Sequence, residues 1–149
     1  MTSLADAIHA VAAADTGAGG FVTLMASGAA GVLGTDAGAQ PPAALAPWAI
    51  LVLETDAESA APNAVDTEFA WWIYDYEHMG YGRINTAAGR LLRLYPEQTG
   101  GLYADTVTGE LIWWQGMGAV GGEQAAPEYR QLARVVRWPC RKTHRGTGS

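Results

Sequence analysis

The sequence predicts an α+β domain, a mainly antiparallel sheet of about four to five strands packed against two helices. Three observations predict it. From Phe69 to Tyr76, Phe69, Trp71 and Ile73 alternate with Trp72, Tyr74 and Tyr76. That period of two, in aromatic and β-branched residues, marks a strand with two apolar faces. Directly after it, Ile84, Ala88, Leu91, Leu92 and Tyr95 recur at helical spacing while Arg83, Arg90 and Arg93 point elsewhere, which marks an amphipathic helix. The apolar run Trp48–Glu54, introduced by Pro47, supplies a second strand. A short acidic connection over Thr55–Pro62 suits a hairpin tip, so the two strands should pair antiparallel.

The other elements follow in chain order. Ser3–Val11 reads as a helix, with Thr2 or Ser3 as cap, Asp6 near its positive end, and Leu4, Ile8 and Val11 on one face. Phe21–Met25 is expected to be a short strand. Ala26–Pro47 is Gly/Ala/Pro-rich without period and is expected to be a long loop. The helix of the central unit should run from about Tyr81 to Tyr95, where Pro96 stops it. Leu102–Ala104 and Leu111–Gln115 predict a short and a longer strand, and Gly116–Pro127 another glycine-rich loop. The last strand is expected over Tyr129–Trp138. Pro139 opens a basic stretch read as tail; the single domain is bounded at residues 1–142, with 143–149 a disordered basic tail.

A chain of 149 residues is about one domain. It holds no run of about 18 apolar residues, so no membrane span is expected, and no basic-then-apolar start, so no signal peptide. Cys140 is the single cysteine, which excludes an internal disulfide and a multi-cysteine zinc site and suits a soluble protein of a reducing compartment. Charge is divided unevenly. Residues 1–82 hold ten acids and no base, −10, whereas residues 83–149 hold nine bases and five acids, +4. Folding either interleaves these halves or leaves complementary faces on neighbouring subunits.

Catalytic patterns are missing. Asp75, Glu77 and His78 end the aromatic strand, but no further ligand follows at a useful spacing, and a solvated strand end is the simpler reading. His9 and His144 read as ordinary surface residues. Ser27-Gly28 and Ser59-Ala60 lack a nucleophile-elbow frame, and the glycine runs lack the Gly-Lys-Ser/Thr end of a phosphate loop. The basic surroundings of Cys140 would lower its pKa, with no histidine paired to it in sequence. Neither an enzyme, nor a cofactor, nor a metal is expected. A small nucleic-acid- or ligand-binding domain is the alternative of a different class, through Arg130, Arg134, Arg137, Arg141, Lys142 and Arg145 with Tyr129 and Trp138. The acidic net charge of −6 weighs against it.

The order of these parts resembles the tail terminator proteins of long-tailed bacteriophages, the minor tail or tail-completion group. The likeness rests on the helix SLADAIHAVAA before a glycine-rich stretch, and on the proline-led apolar strand PWAILVL. It continues in the aromatic strand ending near Trp72-Ile73-Tyr74-Asp75, the amphipathic helix Arg83–Tyr95, and the arginine-rich strand Glu128–Arg137. The resemblance implies a structural virion protein whose copies, typically six, form a ring. The ring caps the tail tube, ends its polymerisation and joins it to the head connector. Its place would be the head-proximal end of the virion tail, and the host cytoplasm during assembly. The implied partners are a second copy of the chain, the tail tube protein and the head–tail connector, with no membrane and nucleic acid at most passing through the lumen. A head-closure or neck protein of the same virion is the nearest competitor.

A ring uses heterologous contacts, in which one patch meets a different patch on the neighbour. The charge division nominates the contact: Arg83, Arg90, Arg93, Arg130, Arg134 and Arg137 against Glu54, Asp56, Asp75 and Glu77 of the next copy. The glycine-rich loops would become ordered on assembly, and the apolar excess of the aromatic strand would be hidden there.

Overall fold

The computed structural model describes residues 4–34, 45–53, 57–58, 64–95, 103–104, 111–114, 118–126 and 130–143. Its centre is the strand the alternation marks. β4 (Ala64–Tyr76) pairs antiparallel along all thirteen residues with β9 (Gln131–Thr143), and on its other side with β2 (Trp48–Leu53). β1 (Val32–Leu33) adds to β2 in parallel and forms one edge. Beyond β9 lie β6 (Leu111–Trp114) and β5 (Tyr103–Ala104), giving the order β1-β2-β4-β9-β6-β5. Three short strands complete the sheet. β3 (Ala57–Glu58) pairs with β4, while β7 (Ala119–Val120) and β8 (Gln124–Ala126) pair with β9.

Facing residues of an antiparallel pair share a face, so the register assigns the residues at the centre of the sheet to its two faces. Phe69, Trp71, Ile73 and Asp75 of β4 share one face with Leu132, Arg134, Val136 and Trp138 of β9 and Ala49, Leu51 and Leu53 of β2. This face carries the helices. α1 (Leu4–Ala13) contributes Ile8 and Ala12, and the single-turn α2 (Phe21–Leu24) contributes Phe21 and Val22. α3 (Gly82–Leu94) contributes Ile84, Ala87, Ala88 and Leu91, with Tyr95 just past its end. Their spacing is that of one helical stripe. Between β4 and α3 the chain makes a 3-10 turn over Glu77–Met79, then reverses at Gly80, whose φ of 64° suits a residue without a β-carbon.

Within the core, the polar groups of Trp138 and Tyr95 find partners, whereas the Trp71 indole N–H has none among the described residues. The Trp138 indole N–H donates to the Tyr95 carbonyl at 3.0 Å, and the Tyr95 hydroxyl donates to the Ile8 carbonyl. The Phe69 ring stacks on Trp138 at 4.9 Å and meets Tyr95 edge-on at 5.2 Å. Three aromatic rings thereby tie the strand pair to α3 and α1.

The α+β class stands, and four local expectations change. Phe21–Leu24 is a helical turn and not a strand, because the Asp15 carboxylate accepts the Phe21 N–H at 2.7 Å and sets the chain turning. The expected loop after Ala26 contains a 3-10 turn over Gly28–Gly31 and the edge strand β1. The glycine-rich stretch after Gly116 supplies β7 and β8. The last strand passes straight through Pro139 to Thr143, where tail was expected. Away from β4, β6 pairs with residues 140–142 and β7 with 136–137. Pro139 therefore falls in the interval between them, where no strand among the described residues pairs with it on that flank. Residues 35–44, 115–117 and 127–129 of the two glycine-rich stretches, Pro96, and residues 144–149 with His144 lie outside the described residues.

Candidate functional site

The face of the sheet turned away from the helices has a different character. β2 places Trp48, Ile50 and Val52 there, β4 places Ala70, Trp72, Tyr74 and Tyr76, and β9 places Gln131, Ala133, Val135 and Arg137. Trp48 and Tyr74, directly opposed in register, stack at 4.2 Å and nearly parallel. Ala46, Trp48 and Ile50 form a second apolar cluster, against which Leu33, Trp72, Tyr74 and Tyr76 pack half-buried. Polar groups line its margins. The Trp48 indole N–H donates to Gln131 Oε1 at 3.2 Å, and the Tyr76 hydroxyl accepts the Ala46 N–H at 3.3 Å. The Arg137 guanidinium lies 5.8 Å over the Trp72 ring and 3.3 Å from Glu68. At the Tyr76 end, His78 stacks on Tyr76 at 5.5 Å, followed by the exposed Met79; Leu45, beside Ala46, is exposed too.

The nominated interface residues have varied fates. Asp75, read from sequence as a solvated strand end, is completely buried. It continues the buried phase of Phe69, Trp71 and Ile73, and it is matched there by Arg83 from the first turn of α3. The guanidinium grips both carboxylate oxygens, at 2.6 and 2.8 Å. A buried carboxylate needs such a partner. Asp15, not nominated at all, plays the same part at the corner of α1 and α2. It takes Arg90 of α3 on both oxygens at 2.7 Å, as well as the Phe21 N–H. Arg90 first, and the Phe21 N–H with it, hold the Asp15 carboxyl below its ordinary pKa while burial opposes them.

Arg83 and Arg90, two helical turns apart, thus dock α3 through carboxylates of the N-terminal half. Arg137 pairs with Glu68 of that half as well. Arg134 donates to the Gly121 carbonyl at 2.8 Å and to Asn85 of α3 at 2.6 Å. The three ion pairs interleave the two charge halves inside one chain. Arg93, Arg130 and Glu77 are exposed, and among the described residues none of the three has an ion pair. Arg130 takes a positive φ of 56°, and its carbonyl accepts the Glu77 N–H at 3.2 Å. Glu54 and Asp56 lie outside the described residues.

The possible ligand trio separates: Asp75 turns to Arg83 beneath the helices, while His78 lies on Tyr76. Among the described residues no group of three His, Cys, Asp or Glu converges. His9, expected at the surface, is half-buried. Its Nε2 lies 2.8 Å from the Val32 carbonyl, and its ring stacks on Trp71 at 6.1 Å. It therefore occupies a carbonyl of edge strand β1. Burial in the core pushes the Cys140 thiol up to about 12, opposite to the lowering expected from its basic neighbours, so it stays a thiol. No helix among the described residues is long and apolar enough to cross a membrane. Comparison with protein-family models, curated proteins and solved structures gives no match to this chain.

Proposed function

We propose that the chain is a structural assembly subunit, the tail terminator of a long-tailed bacteriophage, whose copies close into a ring that ends the tail tube. The observation that carries this reading is the aromatic face opposite the helical layer, where Trp72, Tyr74 and Tyr76 stay half-buried around the buried Trp48. A sheet face left to solvent ordinarily alternates to polar residues. Aromatic side chains with polar tips suit a contact that forms after folding. The element order adds support, because it is the order on which the resemblance to tail terminators rests.

Electrostatics plays a smaller part in this assembly than the charge division suggests. Arg83, Arg90 and Arg137 already have carboxylates within the chain. Arg93, Arg130 and Glu77 remain as exposed charges to set register, at roughly 0–1 kcal/mol per exposed pair. Aromatic burial supplies the affinity.

Electron microscopy and sedimentation of the purified protein test the reading. Rings of constant diameter are expected, together with shortened, capped tubes when the protein is added to polymerising tail tube protein. A strict monomer at all concentrations, without effect on tube length, would refute it. Rings that bind a head connector and leave tube length unchanged would favour the head-closure role.

A further inference from the structure

On the side away from β4, β9 is edged by an exposed strap. Ala119, Val120, Gly122, Glu123, Gln124 and Ala125 are all exposed, and four of the seven residues from Gly116 to Gly122 are glycine. The strap contributes little apolar burial and is held by hydrogen bonds. Ala119 and Val120 pair with Arg137 and Val136, and Gln124–Ala126 pair with Ala133–Gln131. Between these ladders the Gly121 N–H donates to the Val135 carbonyl at 2.7 Å. Two side chains latch it. Arg134 donates to the Gly121 carbonyl at 2.8 Å, and the Tyr81 hydroxyl to the Gln124 carbonyl at 2.7 Å.

What the strap edges is of another kind. Val135, Val136 and Trp138 are fully buried and Ala133 nearly so. The strap approaches so closely that a β-carbon at Gly118 would lie 2.4 Å from the Trp138 ring, and one at Gly121 would lie 2.8 Å from Val135. Segments held by few buried contacts open at a small fraction of the global unfolding free energy. Opening here would bare the hydrogen-bonding edge of β9 beside the core, and such an edge recruits another strand. The strand whose fit is already displayed, glycine for glycine and latch for latch, is the same segment of a second copy. Exchange between identical copies remakes each contact that opening breaks, so it needs little net free energy.

We infer that residues 118–126 are exchanged between neighbouring copies on assembly, the strap of one pairing with β9 of the next. Tyr81 and Arg134 then latch the incoming strap. A chain of such exchanges is heterologous and closes only as a ring. The inference rests on the assembly role proposed above.

Paired cysteines test it. In Ala125→Cys/Leu132→Cys, and separately in Ala119→Cys/Arg137→Cys, the two positions oppose each other across the ladder, close enough for a disulfide. The parent, with its buried Cys140, is the control. Protein is assembled under reducing conditions, oxidised, and run on a denaturing gel without reductant. Exchange predicts covalent dimers and higher multimers as the majority species for both pairs, collapsing to monomer on reduction. Monomer oxidised before assembly, its strap locked within the chain, should form at least tenfold fewer rings until reductant is added. Rings whose chains run as monomers, with the bond intrachain or unformed, would overturn the exchange and leave the ring reading intact. Reduced protein that stays monomeric would overturn both.

Discussion

The two faces of this sheet use the same residue types for different ends. Trp71 and Trp72 are neighbours in β4, yet Trp71 is wholly enclosed beneath the helices while Trp72 is half-buried beside Arg137. On the helical face, the central apolar side chains Phe69, Trp71, Ile73, Val136 and Trp138 are fully buried, and Asp75 and Asp15 enter in two-pronged pairs with Arg83 and Arg90. On the other face, rings stack against rings, the polar tips of Trp48 and Tyr76 meet Gln131 and Ala46, and Arg137 lies over Trp72 while pairing with Glu68. Complete burial commits a side chain to folding. Half-burial leaves part of its area to be removed from water later, by a partner.

The largest effects should separate the faces directly. Trp71→Ala should cost about 3–5 kcal/mol, since it empties a sealed site, and lower the Tm by about 10 °C. Trp72→Ala should cost roughly 1–2 kcal/mol from its smaller buried area, yet weaken ring formation more than any change on the helical face that leaves the protein folded. Equal losses in urea unfolding, or normal rings from the Trp72 variant, would break the comparison.

Next in size is Arg83→Met, which strands the Asp75 carboxylate beneath the helices and should cost about 3 kcal/mol. Adding Asp75→Leu should recover much of that loss, because the uncompensated charge goes with it. Chemical denaturation of the single and double variants measures the difference. No recovery would mean that the pair supplies packing more than charge.

The Asp15 corner should behave more mildly and follow pH. Its carboxyl pKa is lowered in the folded state by Arg90 and the Phe21 N–H. Its stabilisation is therefore fully present above the unfolded value of about 3.9, and is lost as pH falls through the lower folded value. Asp15→Asn should cost about 1–2 kcal/mol near neutrality, with the gap to the parent closing below about pH 4. Urea titrations from pH 6 to pH 2 would show a constant gap if the corner does not hold α3 electrostatically.

The smallest expected effects are gains. Arg130 holds a left-handed conformation outside glycine's privilege, so Arg130→Gly should stabilise by up to about 1 kcal/mol through relief of strain. Gly89 lies mid-helix with nothing within 4 Å of an added β-carbon, and Gly89→Ala should stabilise by about 0.5–1 kcal/mol. A loss in thermal scans at either site would point to a contact that these backbone arguments omit.

What the sequence determined by itself was whatever local period encodes. The alternation of Phe69–Tyr76 located the central strand and its two faces, the run Trp48–Glu54 its antiparallel partner, and the spacing Ile84–Ala88–Leu91 the helix laid over them. These signals are strong because each lies within a dozen residues and repeats. The same alternation, followed one step further, places Asp75 on the buried side, and an arginine eight residues on was the available sign of its partner. What only the tertiary structure decided depends on groups remote in sequence. Phe21–Leu24 turns as a helix because Asp15 reaches its first N–H. The strap at 118–126 becomes strand because β9 offers it a ladder. Pro139 is tolerated because, among the described residues, the ladder on that flank is interrupted where it falls. The division of charge between the halves did not mark an interface by itself, since attraction acts first between groups that the fold brings together. Asp15, Glu68 and Asp75 met their arginines within the chain.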